Sequence, residues 1–250
     1  MPRLISKYLL TAGSLVLASA ILTPSCATNN SSLFVVGVLD LNHSTCIAKA
    51  DTTDPFLAQG TLDLAFTQSY TAFVLVGNQL TQQGSREQLR TETSRVSLRG
   101  AEVKLSTVDG KPLGSYSTVG TGFVDAAAGD APSYAAMAVN VIPAALTNLP
   151  GTVLAKIRVF GDTLGGQSVT SSELDFPITV CTGCLINYDT PDTTQPANSP
   201  YKCATAVSTS TQTSVAPPCI LGQDVPFSCA LCSSSFDICR DPSMNPSVHP

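Results

Sequence analysis

The sequence predicts an all-β chain. Residues 33–180 read as an immunoglobulin- or fibronectin-like antiparallel β-sandwich, and residues 181–250 as a loop-rich tail stapled by disulfides. Three observations carry this. Short apolar runs alternate with polar residues at period two, the signature of half-buried strands. Gly, Pro, Asn and Asp punctuate them at sandwich-like spacing. Seven of the nine cysteines fall after residue 180. A closed β-barrel is the alternative for the same strand pattern.

Taken in order, residues 33–41 form an apolar run bounded by Asn42, the first expected strand. Leu62, Leu64 and Phe66 alternate with Asp63, Ala65 and Thr67, giving one apolar face. Residues 70–76 are apolar on both faces and predict a central strand. Val96 and Leu98 share a face, and after Gly100 the phase slips by one to Ala101, Val103 and Leu105, which predicts a β-bulge. Asp109-Gly110 is a hairpin turn signal. Residues 135–142 give another strand, and residues 143–149 open with proline and stop at Pro150-Gly151, as one or two helical turns would.

Val153, Ala155, Ile157 and Val159 alternate against Thr152, Leu154, Lys156 and Arg158. Gly165-Gly166 marks a turn. Leu174, Phe176, Ile178 and Val180 form the inward face of the last strand, in which Pro177 predicts an edge position. The tail carries many Ser, Thr and Pro, including the low-complexity stretch Thr205 to Pro218, and has too few large apolar residues for a core of its own.

The N-terminus is of a different kind. Arg3 and Lys7 precede an apolar run of 15 residues, Tyr8 to Leu22, and no acidic residue occurs before Asp40. Such a run is short for a bilayer span, which takes about 20 residues, and fits the apolar core of an export signal. Thr23-Pro24-Ser25-Cys26 then resembles the lipobox of bacterial exported lipoproteins. It differs from the family pattern in placing Leu22 four residues before the cysteine and in having Pro24. The resemblance covers the leader alone. It implies a signal peptide over residues 1–25, an acyl-carrying Cys26 and a tether over residues 26–32. Ala27 after the cysteine then implies sorting to the outer membrane. Cleavage after Ala18-Ser19-Ala20 or Ser25-Cys26-Ala27 would instead give a soluble periplasmic or secreted chain.

Only 12% of residues are charged, about half the usual share, and the net charge is −5. Loss of Arg3 and Lys7 with the leader makes it −7. The sparse, scattered Lys and Arg exclude a nucleic-acid footprint.

The cysteines are Cys26, Cys46, Cys181, Cys184, Cys203, Cys219, Cys229, Cys232 and Cys239. With Cys26 lipidated or removed, eight remain for disulfides, as export favours. The tail then holds seven, so if all eight are oxidised within one chain, one bond must cross to Cys46. If the first strand runs parallel beside the last, as in many immunoglobulin-like sandwiches, the partner is Cys181 or Cys184.

Cys181-Thr-Gly-Cys184 and Cys229-Ala-Leu-Cys232 also form two CxxC units, the ligand set of a zinc site. A redox dithiol is a further alternative, although a CxxC of that kind opens a helix and Cys181 ends a strand.

No residue set predicts catalysis, and no cofactor is expected. His43 and His249 are the only histidines, and His43 lies in a turn after the first strand. Asp51 with Asp54, and Asp125 with Asp130, flank loops where carboxylates are solvated or bind calcium weakly. Asn30-Ser31-Ser32 and Asn42-His43-Ser44 match glycosylation sequons, which a bacterial leader discounts.

The expectation is a non-enzymatic cell-envelope lipoprotein that binds or assembles through its loops. Its partners are the membrane, through the lipid, and an envelope protein or polysaccharide. An exported hydrolase and a zinc or redox tail module are the alternatives.

Overall fold

The computed structural model describes residues 32–85, 90–187 and 218–228, and contains no helix among them. Twelve strands follow in order: β1 (Leu33–Leu39), β2 (Phe56–Leu57), β3 (Gly60–Asp63), β4 (Tyr70–Asn78), β5 (Val96–Thr107), β6 (Pro112–Val124), β7 (Ser133–Ile142), β8 (Thr152–Thr163), β9 (Ser168–Thr170), β10 (Leu174–Cys181), β11 (Ile186–Asn187) and β12 (Phe227–Ser228). They form two facing sheets, β2-β1-β4-β7 and β3-β10-β8-β5-β6, with β9 added beside β8, and a small β11-β12 pair. With β1, β4, β5, β6, β7, β8 and β10 as successive strands, the order matches the ABE and GFCC′ sheets of an immunoglobulin-like sandwich.

The period-two alternation forms the core. Val96, Leu98, Ala101, Val103 and Leu105 of β5 point inward with Val153, Ala155, Ile157 and Val159 of β8, and Phe176 and Ile178 of β10. They meet Val74 and Val76 of β4, and Val139 and Val141 of β7. The register of β5 slips between Leu98 and Gly100 against both neighbours, the expected bulge. β4 is central, flanked by β1 and β7. The outer face of the larger sheet carries a charge ladder. Lys104 Nζ lies 2.7 Å from Glu173, Lys156 Nζ 3.0 Å from Asp175, and Arg158 Nη2 3.2 Å from Glu173. Such exposed pairs contribute little stability and keep this face in water.

Five sequence expectations need correction. The chain does not close into a barrel: β6 and β7 come together at one side, where the Tyr116 hydroxyl donates to the Val141 carbonyl, without a shared ladder. Residues 143–149 make one turn, with Leu146 N–H donating to the Pro143 carbonyl at 3.0 Å, and no helix. Pro177 is not on an edge strand, because β10 lies between β8 and β3. The β3 ladder begins only at Ile178, so the proline sits beyond its end. The strand running parallel to β10 is β3, not β1. Finally, the run expected through Phe66 stops at Asp63, whose carboxylate and carbonyl accept N–H groups from residues 65–67 and wind the chain into a turn.

The register defines two poles. Leu33 pairs with Asn78, and Asn78 with Ser133, so β1 starts at the pole where β4 ends and β7 begins. Buried Asn78 fixes this pole. Its Nδ2 donates to the Ser94 and Asp125 carbonyls, both at 2.9 Å, and its Oδ1 accepts from Leu80 N–H at 2.9 Å. Replacing it by alanine strands buried backbone groups. Asn78→Ala is expected to lower the unfolding free energy by about 2–4 kcal/mol, read from urea denaturation. A loss within error of zero would show that these bonds do not pin the loops.

Candidate functional site

The opposite pole gathers two clusters of chemistry-bearing side chains. Here β1 ends at Leu39, β3 at Asp63 and β10 at Cys181, and β4 begins at Tyr70. Both clusters hold the returning tail.

The first is built on Asp63, which is fully buried. Its Oδ1 accepts from Gly183 N–H at 2.6 Å and Ala65 N–H at 3.0 Å, and its Oδ2 from Leu185 N–H at 3.0 Å. Three N–H donors stand in for the water that burial removes from the carboxylate. One belongs to the Cys181–Cys184 loop and another to Leu185, which follows it, so the chain curls around this anion. Cys181 and Cys184 are bonded to each other with Cα atoms 6.0 Å apart.

An Asp63 oxygen lies within 4.8 Å of both sulfurs, so the three residues form a potential metal group only if the disulfide is opened. As it stands, the bond removes two thiolates from the zinc alternative, and Cys229 and Cys232 lie outside the described residues. For the redox alternative, the loop amides that would stabilise a thiolate are spent on Asp63, and no helix follows Cys181 among the described residues.

The second cluster lines a shallow cleft beside β1 and β4, formed by Asp40, His43, Leu57, Tyr70 and Asp224 with a volume of about 20 Å³, room for a water molecule. Tyr70 is fully buried, and its hydroxyl donates to the Asp224 carboxylate, 3.0 Å from each oxygen. A Cβ on Gly60 would collide with that hydroxyl, so glycine makes the approach possible. Asp224 Oδ1 also accepts from Thr61 N–H at 2.8 Å.

Gln223 completes the attachment. Its Oε1 accepts from Thr71 N–H at 3.0 Å and its Nε2 donates to the Thr71 carbonyl at 2.8 Å. The amide thus pairs with a strand residue where the β1–β4 ladder has already ended. Backbone bonds from Asp63 N–H to the Gly222 carbonyl and from Asp224 N–H to the Thr61 carbonyl seal the outer edge of β3.

Burial raises the pKa of the Tyr70 hydroxyl, and the neighbouring Asp224 charge raises it further. Burial also raises the Asp224 carboxyl above the usual range, against the lowering effect of its hydrogen bonds. His43 Nε2 is 3.6 Å from Asp40 Oδ2 and its side chain is 54% exposed, a solvated turn histidine.

The disulfide from Cys46 closes the same pole. It reaches Cys219, with Cα atoms 5.3 Å apart, and not Cys181 or Cys184. The bond crosses from sandwich to tail as the odd count requires, but the partner differs because Cys46 lies in the loop between β1 and β2, away from β10. Cys203, Cys229, Cys232 and Cys239 lie outside the described residues, as do Cys26, Asn30, Ser31 and His249. The remaining acids are not brought together. Asp51 is exposed, and hydrogen bonds from Thr53 lower its pKa. Asp125 pairs with Arg95 at 2.9 Å, and Asp130 is an exposed turn residue.

The chain matches no protein-family model, no curated protein and no solved structure.

Two outcomes test this clasp. A carboxyl whose folded pKa lies above its unfolded value of about 3.9 favours the folded state below that value, and the contribution is lost as pH rises through the folded pKa. Asp224 has a left-handed backbone, φ 61°, which asparagine tolerates. Asp224→Asn is therefore expected to flatten the fall in stability above pH 4 in urea titrations, whereas Asp224→Ala destabilises at every pH. An unchanged slope in the Asn variant would remove Asp224 as its source. Second, the Cys46–Cys219 bond joins residues 173 apart, and the chain-entropy model gives such a loop about 5 kcal/mol at most. Replacing both cysteines by serine should lower the thermal midpoint and expose residues 218–228 to protease. A tail as resistant as in the parent would show that the hydrogen bonds suffice.

Proposed function

We propose that this chain is a non-enzymatic cell-envelope lipoprotein: a β-sandwich held at the outer membrane by acyl groups on Cys26, presenting its surface to an envelope protein or polysaccharide. One observation carries the non-catalytic part. Two titratable groups of the cleft, Tyr70 and Asp224, are engaged in fastening the tail, and the other two, Asp40 and His43, pair with each other at 3.6 Å. The Tyr70 hydroxyl is committed to Asp224, and Asp224 to Thr61 and Tyr70. A general acid or base must be free to meet a substrate proton, and these face one another instead. Export is supported by the Cys46–Cys219 bond, which persists in an oxidising compartment. No helix among the described residues is long and apolar enough to cross a membrane, so in this reading the lipid is the anchor.

Cys26→Ser is expected to move the protein from the membrane fraction to the soluble fraction. The parent's intact mass should show a chain beginning at Cys26 with more than one acyl group, since one chain holds only weakly. An unmodified mass, or membrane association unchanged by the substitution, would sink the anchor.

A further inference from the structure

The two sheets differ in what they turn outward. The larger sheet shows the charge ladder. The smaller sheet, β2-β1-β4-β7, contains no charged residue in any of its strands. Its inward positions are Leu33, Val38, Ala72, Val74, Met137 and Val139. The alternate positions on β4 are Thr71, Phe73, Leu75 and Gly77, of which Leu75 and Gly77 are buried, and on β7 Tyr134, Ala136, Ala138 and Asn140.

Aromatic rings cover the glycines of this outer face. A Cβ on Gly77 would collide with the Phe34 ring, and one on Gly37 would come within 2.9 Å of Phe56. The Phe34 and Tyr134 rings meet edge to face with centroids 6.2 Å apart. A register shift between Val35 and Gly37 adds Val36 to the same face. Val36 and Phe56 are each 38% exposed.

We infer that this uncharged, aromatic face rests on the bilayer surface to which the chain is tethered. The inference depends on the lipid anchor proposed above. Cys26 is six residues before Ser32, and β1, the strand that follows at once, belongs to this sheet. Six residues reach at most about 22 Å at about 3.3–3.6 Å each. The longest strand of the sheet, β7, has 10 residues and spans about 33 Å. A tether shorter than the sheet keeps the face within reach of the headgroups. With no charge to desolvate and aromatic rings suited to the interface, that face meets the membrane at lower cost than the laddered one. The Lys104, Lys156, Glu173 and Asp175 ladder is then turned to water.

The chain has no tryptophan, so one inserted indole reports alone. Phe56→Trp and Val36→Trp place it on the face. Val108→Trp places it in the β5–β6 hairpin, where Val108 is 71% exposed. Each full-length lipoprotein is reconstituted in phosphatidylethanolamine–phosphatidylglycerol vesicles with brominated acyl chains, after circular dichroism confirms the β fold. Emission from the Phe56→Trp and Val36→Trp variants is expected to shift to the blue and to be largely lost to bromine quenching. The Val108→Trp variant is expected to keep its emission.

Equal quenching in all three variants would overturn the inference. So would face indoles that are shielded without quenching and become exposed on dilution, which would mean a second copy covers the face. If the parent proves unlipidated, the soluble chain is added to the same vesicles, and quenching or its absence decides the face separately from the anchor. A lipidated chain with unquenched face indoles leaves the anchor standing and removes the docking.

Discussion

One buried carboxylate organises the tail-bearing pole. Asp63 ends β3, starts the turn to β4, fills the loop closed by Cys181 and Cys184, and donates its own N–H to Gly222 of the returning tail. A charge inside a protein must be met by donors or it is expelled. Here the donors come from separate parts of the chain, so the requirement of one anion fixes their relative positions. The Cys181–Cys184 bond has its simplest physical meaning in that context. It holds the loop in the shape that aims Gly183 and Leu185 N–H groups inward.

The second constraint is geometric. Among the described tail residues, 222–224 fill the gap that opens where β1 leaves β4. Gln223 supplies an amide in place of a strand residue, and Asp224 adopts a backbone conformation uncommon outside glycine so that its carboxylate reaches Thr61 and Tyr70. An exposed outer edge on β3 would be a template for pairing with other chains. Residues 222–224 occupy that edge, so the tail contributes to keeping the sandwich discrete as well as to stability.

Much of the sandwich was legible because its signals are local. The alternation in β5, β8 and β10, the Gly100 slip and the Asp109-Gly110 turn each depend on neighbours a few residues away. The pole was not legible for the opposite reason. Asp63 reads in sequence as one polar residue on the outward side of an alternating run. The donors that bury it, Gly183 and Leu185, lie 120 and 122 residues downstream. Tyr70 and Asp224 are separated by 154 residues, and no pattern in either segment announces the other. Cysteine parity required a crossing bond from Cys46. Its partner depended on which strand runs beside β10, and that strand is β3. Analogy with other sandwiches puts the first strand there, whereas two short strands and the loop between β1 and β4 shift the actual geometry by one element.

The spacing of the clasp also bears on where the fold is completed. Contacts between Thr61 and Asp224 span 163 residues and cannot form until the last part of the chain exists. Closing such a loop costs entropy before any contact offsets it. In the unfolded chain the Cys46–Cys219 bond removes much of that cost, so oxidation and docking support each other: docking brings the two cysteines together, and the bond then keeps the tail near its site. Where thiols stay reduced, the clasp would have only its hydrogen bonds and the packing of a few side chains such as Phe227. A chain built in this way reaches its full stability on the oxidising side of a membrane, which is where its leader directs it in the proposed reading.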